Sequence, residues 1–234
     1  PTTFSHYYLL KLLIFLSITI RRSSPPPCGG GWGERFLPVL IITLLTIFFG
    51  CTQSKTISSE PIETLLTKND LKVKDLEIFL RAFKQEQEFE LWAKTRTANT
   101  WSLLKNYPIC QSSGALGPKR KEGDRQVPEG VYHIDRFNPN SSYHLSLGLN
   151  YPNASDLVRG DPQTPGSDIF IHGACVTVGC IPLTDALIEE VYELAELAKA
   201  GGQAKIPVHI FPARMDGKAF QRELATSPHQ TFWR

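Results

Sequence analysis

One stretch constrains this chain more than any other: Ile169-Phe-Ile-His172-Gly173-Ala-Cys175-Val-Thr-Val-Gly179-Cys180-Ile-Pro182-Leu-Thr184-Asp185. It opens as an apolar, strand-like run and closes on residues that suit a helix start. Between the two lie an imidazole, two thiols and two glycines. A cysteine nucleophile needs a base at hand and backbone N–H donors for the oxyanion that forms on its substrate. A chain that folds back between His172 and Cys180 supplies both from this one segment. Gly173 permits a tight turn after the histidine. Gly179 leaves the backbone beside the sulfur uncovered, so that a carbonyl can approach.

Cys180 is therefore the expected nucleophile, and His172 the group that pairs with it and later protonates a departing amine. A free thiol ionises near pH 8.5, so an adjacent imidazolium or N–H dipole is expected to raise the thiolate fraction. The amides of Gly179 and Cys180 are the expected oxyanion donors. The plainer alternative is a buried thiol and a satisfied histidine. For Cys175 four readings stand: a small buried residue, a disulfide with Cys110, an inhibitory disulfide with Cys180, or a zinc site with His172, Cys180 and His144. The His-x-x-Cys-x4-Cys spacing is not a tight structural-zinc pair, so no metal is expected.

With its neighbours, the stretch resembles the L,D-transpeptidase (YkuD-type) catalytic domain, and within that family its YafK-like branch. The pattern Ile-His-Gly-x-Cys-Val-x-Val-Gly-Cys-x-x-x-Thr-Asp carries the likeness. Leu116-Gly117-Pro118-Lys119, Glu122-Gly123-Asp124-x-x-Val-Pro128-Glu129-Gly130-Val-Tyr132, Asn138-Pro139-x-Ser-x-Tyr143-His144-Leu-Ser146 and Asn150-Tyr151-Pro152-Asn153 follow the family order. The likeness spans roughly residues 71–212. It implies a mostly β domain with one main helix (α+β), sandwich- or barrel-like. It also implies a cysteine acyl-enzyme on peptidoglycan tetrapeptide stems, with no cofactor. Three acceptors stay open: another stem's amine, a lysine of a wall-linked lipoprotein, or water. A cysteine amidase and a non-catalytic wall-binding lipoprotein are the alternatives. Many relatives carry arginine two residues after the nucleophile, where this chain has Pro182, so a substrate carboxylate must be met elsewhere.

Residues outside the central stretch are weighed the same way. His144 alternates along a predicted strand and either binds substrate, orients His172 or makes a local bond. Tyr132, Asn150 and Tyr151 are expected to shape the cleft wall or its turns, with Tyr132 and Tyr151 as candidate substrate-binding residues. Lys119, Arg120 and Lys121 form a charge cluster that fits a solvated loop better than a stem carboxylate. His6, His133, His209 and His229 are expected to be structural.

Along the chain, residues 1–50 read as a targeting segment, partly upstream sequence. The run Phe36 to Phe49 after Arg35 has the basic-then-apolar order of a secretory signal, and Cys51 after Gly50 resembles a lipidation site. At 14 residues that run is short for a membrane span. Residues 51–70 suit a tether with a short helix over 60–66. Residues 71–213 are the catalytic domain, with strands over 77–83, 88–94, 101–110, 131–134, 143–149, 168–172 and 206–211. One helix runs 185–200, with Thr184 or Asp185 as cap and Gly201-Gly202 as stop. Residues 214–234 read as a polar tail. Five cysteines in a chain of this length leave at least one thiol unpaired. Net charge of +2 without a basic, aromatic-interleaved run excludes nucleic acid as the expected partner. The expected place is the periplasmic side of a bacterial envelope, membrane-anchored.

Overall fold

The computed structural model describes residues 61–234. The targeting segment, the lipidation of Cys51 and most of the tether lie outside the described residues.

Strand β1 (Leu76–Phe83) shows how the sheet is made. Leu76, Ile78, Leu80 and Ala82 are buried, while Glu77, Phe79 and Arg81 between them are only half-buried. That two-residue period is what a sheet with one covered face selects. A turn with Gln87 at φ 54° returns the chain into β2 (Glu88–Thr95), which pairs antiparallel with β1 along its whole length. The remaining strands are β3 (Ser102–Pro108), β4 (Gly130–Ser141), β5 (His144–Leu149), β6 (Phe170–His172), β7 (Ile181–Pro182) and β8 (Pro207–Phe211). They form one eight-stranded sheet in the order β3-β2-β1-β8-β4-β5-β6-β7. Strand β4 belongs to both halves of it. Gly130–His133 pairs with β8, and the register slips between Ile134 and Arg136 where pairing passes to β5. Such a slip bends a strand and re-aims its side chains.

Helix α3 (Asp185–Ala200) covers the core face. Leu187, Ile188, Val191, Leu194, Ala195 and Ala198 are buried at intervals of three and four. Glu190 sits on the same buried face and is held by Lys105 at 2.6 Å and the Tyr107 hydroxyl at 2.7 Å. A buried charge survives only when it is paired in this way. Truncating a fully buried member such as Leu194 is expected to cost about 2–5 kcal/mol. The architecture is thus mostly β with one long helix, as expected.

Three differences have local causes. Helix α1 (Ile62–Lys68) is no tether, because Leu65 and Leu66 join the main core. Helix α2 (Ala154–Arg159) was not expected, although its capping box is legible as Asn153-Ala-Ser-Asp156. The polar tail contains α4 (Lys218–Thr226) and α5 (Gln230–Trp233), which build a second small core around Ala213, Phe220 and Trp233.

Candidate active site

The site sits at the edge of the sheet where β6 and β7 run parallel, with Ile171 opposite Ile181 and His172 opposite Pro182. Both isoleucines point into the core. Continued one residue back, that register sets Cys180 beside Phe170, two residues from His172. A two-residue strand such as β7 carries no periodic signal, so this pairing was not legible in the sequence. Cys180 is half-buried and is the free cysteine of the described residues. His172 is 3% exposed.

His172 Nδ1–H donates to the carbonyl of Gly173 at 2.7 Å. With that proton on Nδ1, the lone pair of Nε2 is left to act as a base. The exposed ring of Tyr143 packs on the imidazole, 4.9 Å between centroids. Burial pushes the His172 pKa below the usual histidine value, against the pull of the Gly173 carbonyl. Burial also pushes the Cys180 thiol up, opposed by the Phe170 N–H, and the Asp168 charge adds to the rise. The thiol donates to the Asp168 carbonyl at 3.8 Å. Among the described residues no hydrogen bond joins it to His172. Both directions favour a neutral thiol and a neutral imidazole over an ion pair.

The loop between base and nucleophile is held at several points. Asp185, the first residue of α3, accepts the Ala174 N–H at 2.7 Å. Ala174 and Cys175 carry left-handed backbone at φ 61° and 49°, so the turn falls on them and not on Gly173. Gly173 is needed for space, because a Cβ there would lie 2.6 Å from Asp185 Oδ1 and 3.0 Å from the Tyr143 carbonyl. Gly179 is needed for both reasons, with φ 118° and a Cβ that would sit 3.1 Å from the Gln126 carbonyl. Its N–H is taken by Thr177 Oγ1 at 3.2 Å, and Thr177 itself donates to the Cys180 carbonyl at 2.8 Å. As an oxyanion donor Gly179 would first have to release Thr177. Cys175 is bonded to Cys110, 5.6 Å between Cα atoms. This decides among its four readings and removes it from any zinc set.

The residues expected to line the cleft divide differently. His144, at φ 69°, pairs through Nε2 with Glu189 of α3 at 2.7 Å and not with His172. Tyr132 is buried and its hydroxyl donates to Asp156 at 3.0 Å, while the Tyr151 hydroxyl donates to the Pro165 carbonyl at 2.7 Å. Burial raises both phenol pKa values. Both rings thus pack beneath the loops, and neither hydroxyl is open to a ligand. Asn150 caps the His133 N–H at 2.7 Å. Lys119 is not solvated but 5% exposed, paired with Asp124 at 2.7 Å, and Arg120 stacks on Phe232. Tyr143, Asp168, Thr177 and Asp185 were not singled out as site residues. Tyr143 stood only within a quoted motif, and Asp185 only as a candidate helix cap.

Residues 82–210 match the family model of the YkuD L,D-transpeptidase catalytic domain. The chain belongs to the YkuD family. It is 34% identical over 158 residues to YafK of Escherichia coli strain K12, a protein provisionally named an L,D-transpeptidase. That alignment takes in 67% of this chain and 62% of the relative, so the chain spans less than two thirds of YafK. Two solved structures are more distant. The helical cell shape determining protein Pgp2 of Campylobacter jejuni is 22% identical with a TM-score of 0.48, over 66% of this chain and 56% of Pgp2. Bd1075 of Bdellovibrio bacteriovorus is 20% identical with a TM-score of 0.42, over 68% and 57%.

The YkuD domain here is braced from outside the matched residues. A narrow cavity beside Cys180 is lined by Lys84, Ile109, Gln111, Ser112 and Val127. Buried Lys84 donates to the Gly117 carbonyl at 2.7 Å, the Val127 carbonyl at 2.9 Å and Glu129 at 2.9 Å. It thereby ties down both ends of the wall segment over 117–127. Burial lowers the Lys84 pKa, with Glu129 opposing. The other oxygen of Glu129 accepts Trp233 Nε1–H of α5 at 2.7 Å. The C-terminal helices therefore reach the wall of the site through one buried carboxylate.

Proposed function

We propose that this YkuD domain is a cysteine acyltransferase acting on peptidoglycan tetrapeptide stems. The observation that supports it is a half-buried free thiol, Cys180, set by the β6–β7 register beside the strand that ends in an Nδ1-protonated His172. Strand alternation gives Phe170, His172 and Cys180 a common face.

Because both groups rest neutral, the thiol loses its proton as it attacks. His172 Nε2 takes the proton while sulfur adds to the carbonyl of the L-centre. The oxyanion meets the Cys180 N–H, and the Gly179 N–H if Thr177 releases it. The C–N bond then breaks, the imidazolium protonates the departing amine, and the terminal D-residue leaves. An acceptor amine or water attacks the thioester, His172 takes its proton, and the thiol is restored. An amine from another stem gives a cross-link, a lysine of a wall-linked lipoprotein gives an anchored protein, and water gives hydrolysis. Such a substrate places the protein at the periplasmic side of a bacterial envelope, with Cys51 as a lipid-anchor candidate. Among the described residues no helix is long and apolar enough to cross a membrane.

Purified protein mixed with tetrapeptide muropeptides, with products read by mass, tests this. Cross-linked dimers or D-residue exchange support acyl transfer. Shortened or released stems alone point to the amidase. Unchanged stems that bind point to a wall-binding protein, and stems that neither bind nor change contradict all three.

A further inference from the structure

Cross-strand pairing lines up a row that leads to the nucleophile. Arg136 of β4 lies opposite Gly148 of β5, Gly148 lies opposite Phe170 of β6, and Cys180 follows in the continued β6–β7 register. The Arg136 side chain runs along this row. Its guanidinium carbon is 5.0 Å from the centre of the Phe170 ring. Gly148 makes the path, since a Cβ there would lie 2.8 Å from Arg136 Nε and 3.1 Å from Arg136 Cβ. Two carboxylates set the guanidinium plane. Nε donates to Asp135 Oδ1 at 3.1 Å and Nη1 to Asp168 Oδ1 at 2.9 Å. Asp168 is also the residue whose carbonyl accepts the Cys180 thiol at 3.8 Å. One residue thus links the arginine to the sulfur.

Nη2 has no partner among the described residues, and the side chain is 46% exposed. Asp168 is more open still, at 63%. An ion pair this exposed contributes little, so a ligand already held nearby can displace it. The guanidinium fork matches a carboxylate in a way that no other side chain does. Strands lie about 4.8 Å apart, which puts the guanidinium one to two strand spacings from the sulfur.

We propose that Arg136 is the specificity-determining residue for the donor peptide: it binds a carboxylate borne by a residue next to the one attacked, and Asp168 holds that place in the free protein. This deepens the acyl-transfer reading and rests on it. It also names the group that meets a substrate carboxylate in a chain with Pro182 after its nucleophile.

The test separates binding from chemistry by using the Cys180→Ala protein. Its affinity is measured for a tetrapeptide stem and for the same stem with its side carboxylates amidated, with and without Arg136→Gln and Arg136→Lys. Melting temperature is followed alongside. Arg136→Gln is expected to weaken the carboxylate stem about ten- to a hundredfold, to leave the amidated stem unchanged, and to be partly rescued by lysine. Equal weakening of both stems, or no weakening, overturns the assignment. Failure of both stems to bind overturns the substrate reading with it. If the selectivity holds but the intact enzyme turns nothing over, Arg136 stands and acyl transfer falls.

Discussion

The Cys180 thiol donates to the Asp168 carbonyl at 3.8 Å, and burial favours its protonated form while burial also lowers the pKa of His172. Alkylation of Cys180 by iodoacetamide should therefore titrate with a midpoint above the usual thiol value of about 8.5. His172→Gln should leave that midpoint nearly unmoved, since no imidazolium holds the thiolate in the resting state. A midpoint well below 7 would show an ion pair instead. The sign for stability follows from His172. Its folded pKa lies below the unfolded value, so its contribution is complete above about pH 6.5 and is lost progressively as the pH falls from there through the lower folded value.

Asp185 accepts the Ala174 N–H at 2.7 Å just where the chain turns through two left-handed residues. Asp185→Ala should release that turn, costing about 1–3 kcal/mol in stability and a larger fraction of turnover. Asp185→Asn keeps an acceptor and should recover most of both. Denaturant melts and single-turnover acylation of the two variants check this.

The Cys110–Cys175 disulfide closes a separation of 65 residues and ties the loop before the nucleophile to the end of β3. Cys110→Ser with Cys175→Ser should lower stability by about 2–4 kcal/mol and slow acylation of Cys180. In denaturant without reductant, a fragment over residues 61–234 should present a single titratable thiol. Three thiols would show that the bond does not form.

Trp233 donates to buried Glu129 from outside the family match. Trp233→Phe keeps the ring and removes the donor, leaving a carboxylate oxygen unpaired at a cost of about 1–3 kcal/mol. Hydrogen exchange over residues 117–127 should rise in the variant more than exchange in α3. A uniform rise would mean that the tail stabilises the fold without bracing the wall.

What the sequence showed and what it hid have physical reasons. Strands β1 and β8 and helix α3 were legible because their buried residues recur with one period over a full element. Strand β7 was not, because two residues carry no period and their pairing is set by the fold-back of the loop. Cys180 and His172 stood out through residue type and family order. Arg136 and Asp168 did not, since 44 and 12 residues separate them from Cys180 along the chain, and only sheet register brings them near it. Tyr132 and Tyr151 are ambiguous for the opposite reason. An aromatic hydroxyl suits a cleft and a buried bond equally well, and only the coordinates of Asp156 and Pro165 decide.

The most direct test of the site is the intact mass of the protein after reaction with a thiol-acylating carbapenem, followed by peptide mapping. A single adduct on the peptide bearing Cys180, absent in Cys180→Ala and slowed in His172→Gln, is the predicted result. An adduct elsewhere, or none while a tetrapeptide stem is still turned over, would contradict a cysteine nucleophile at this position.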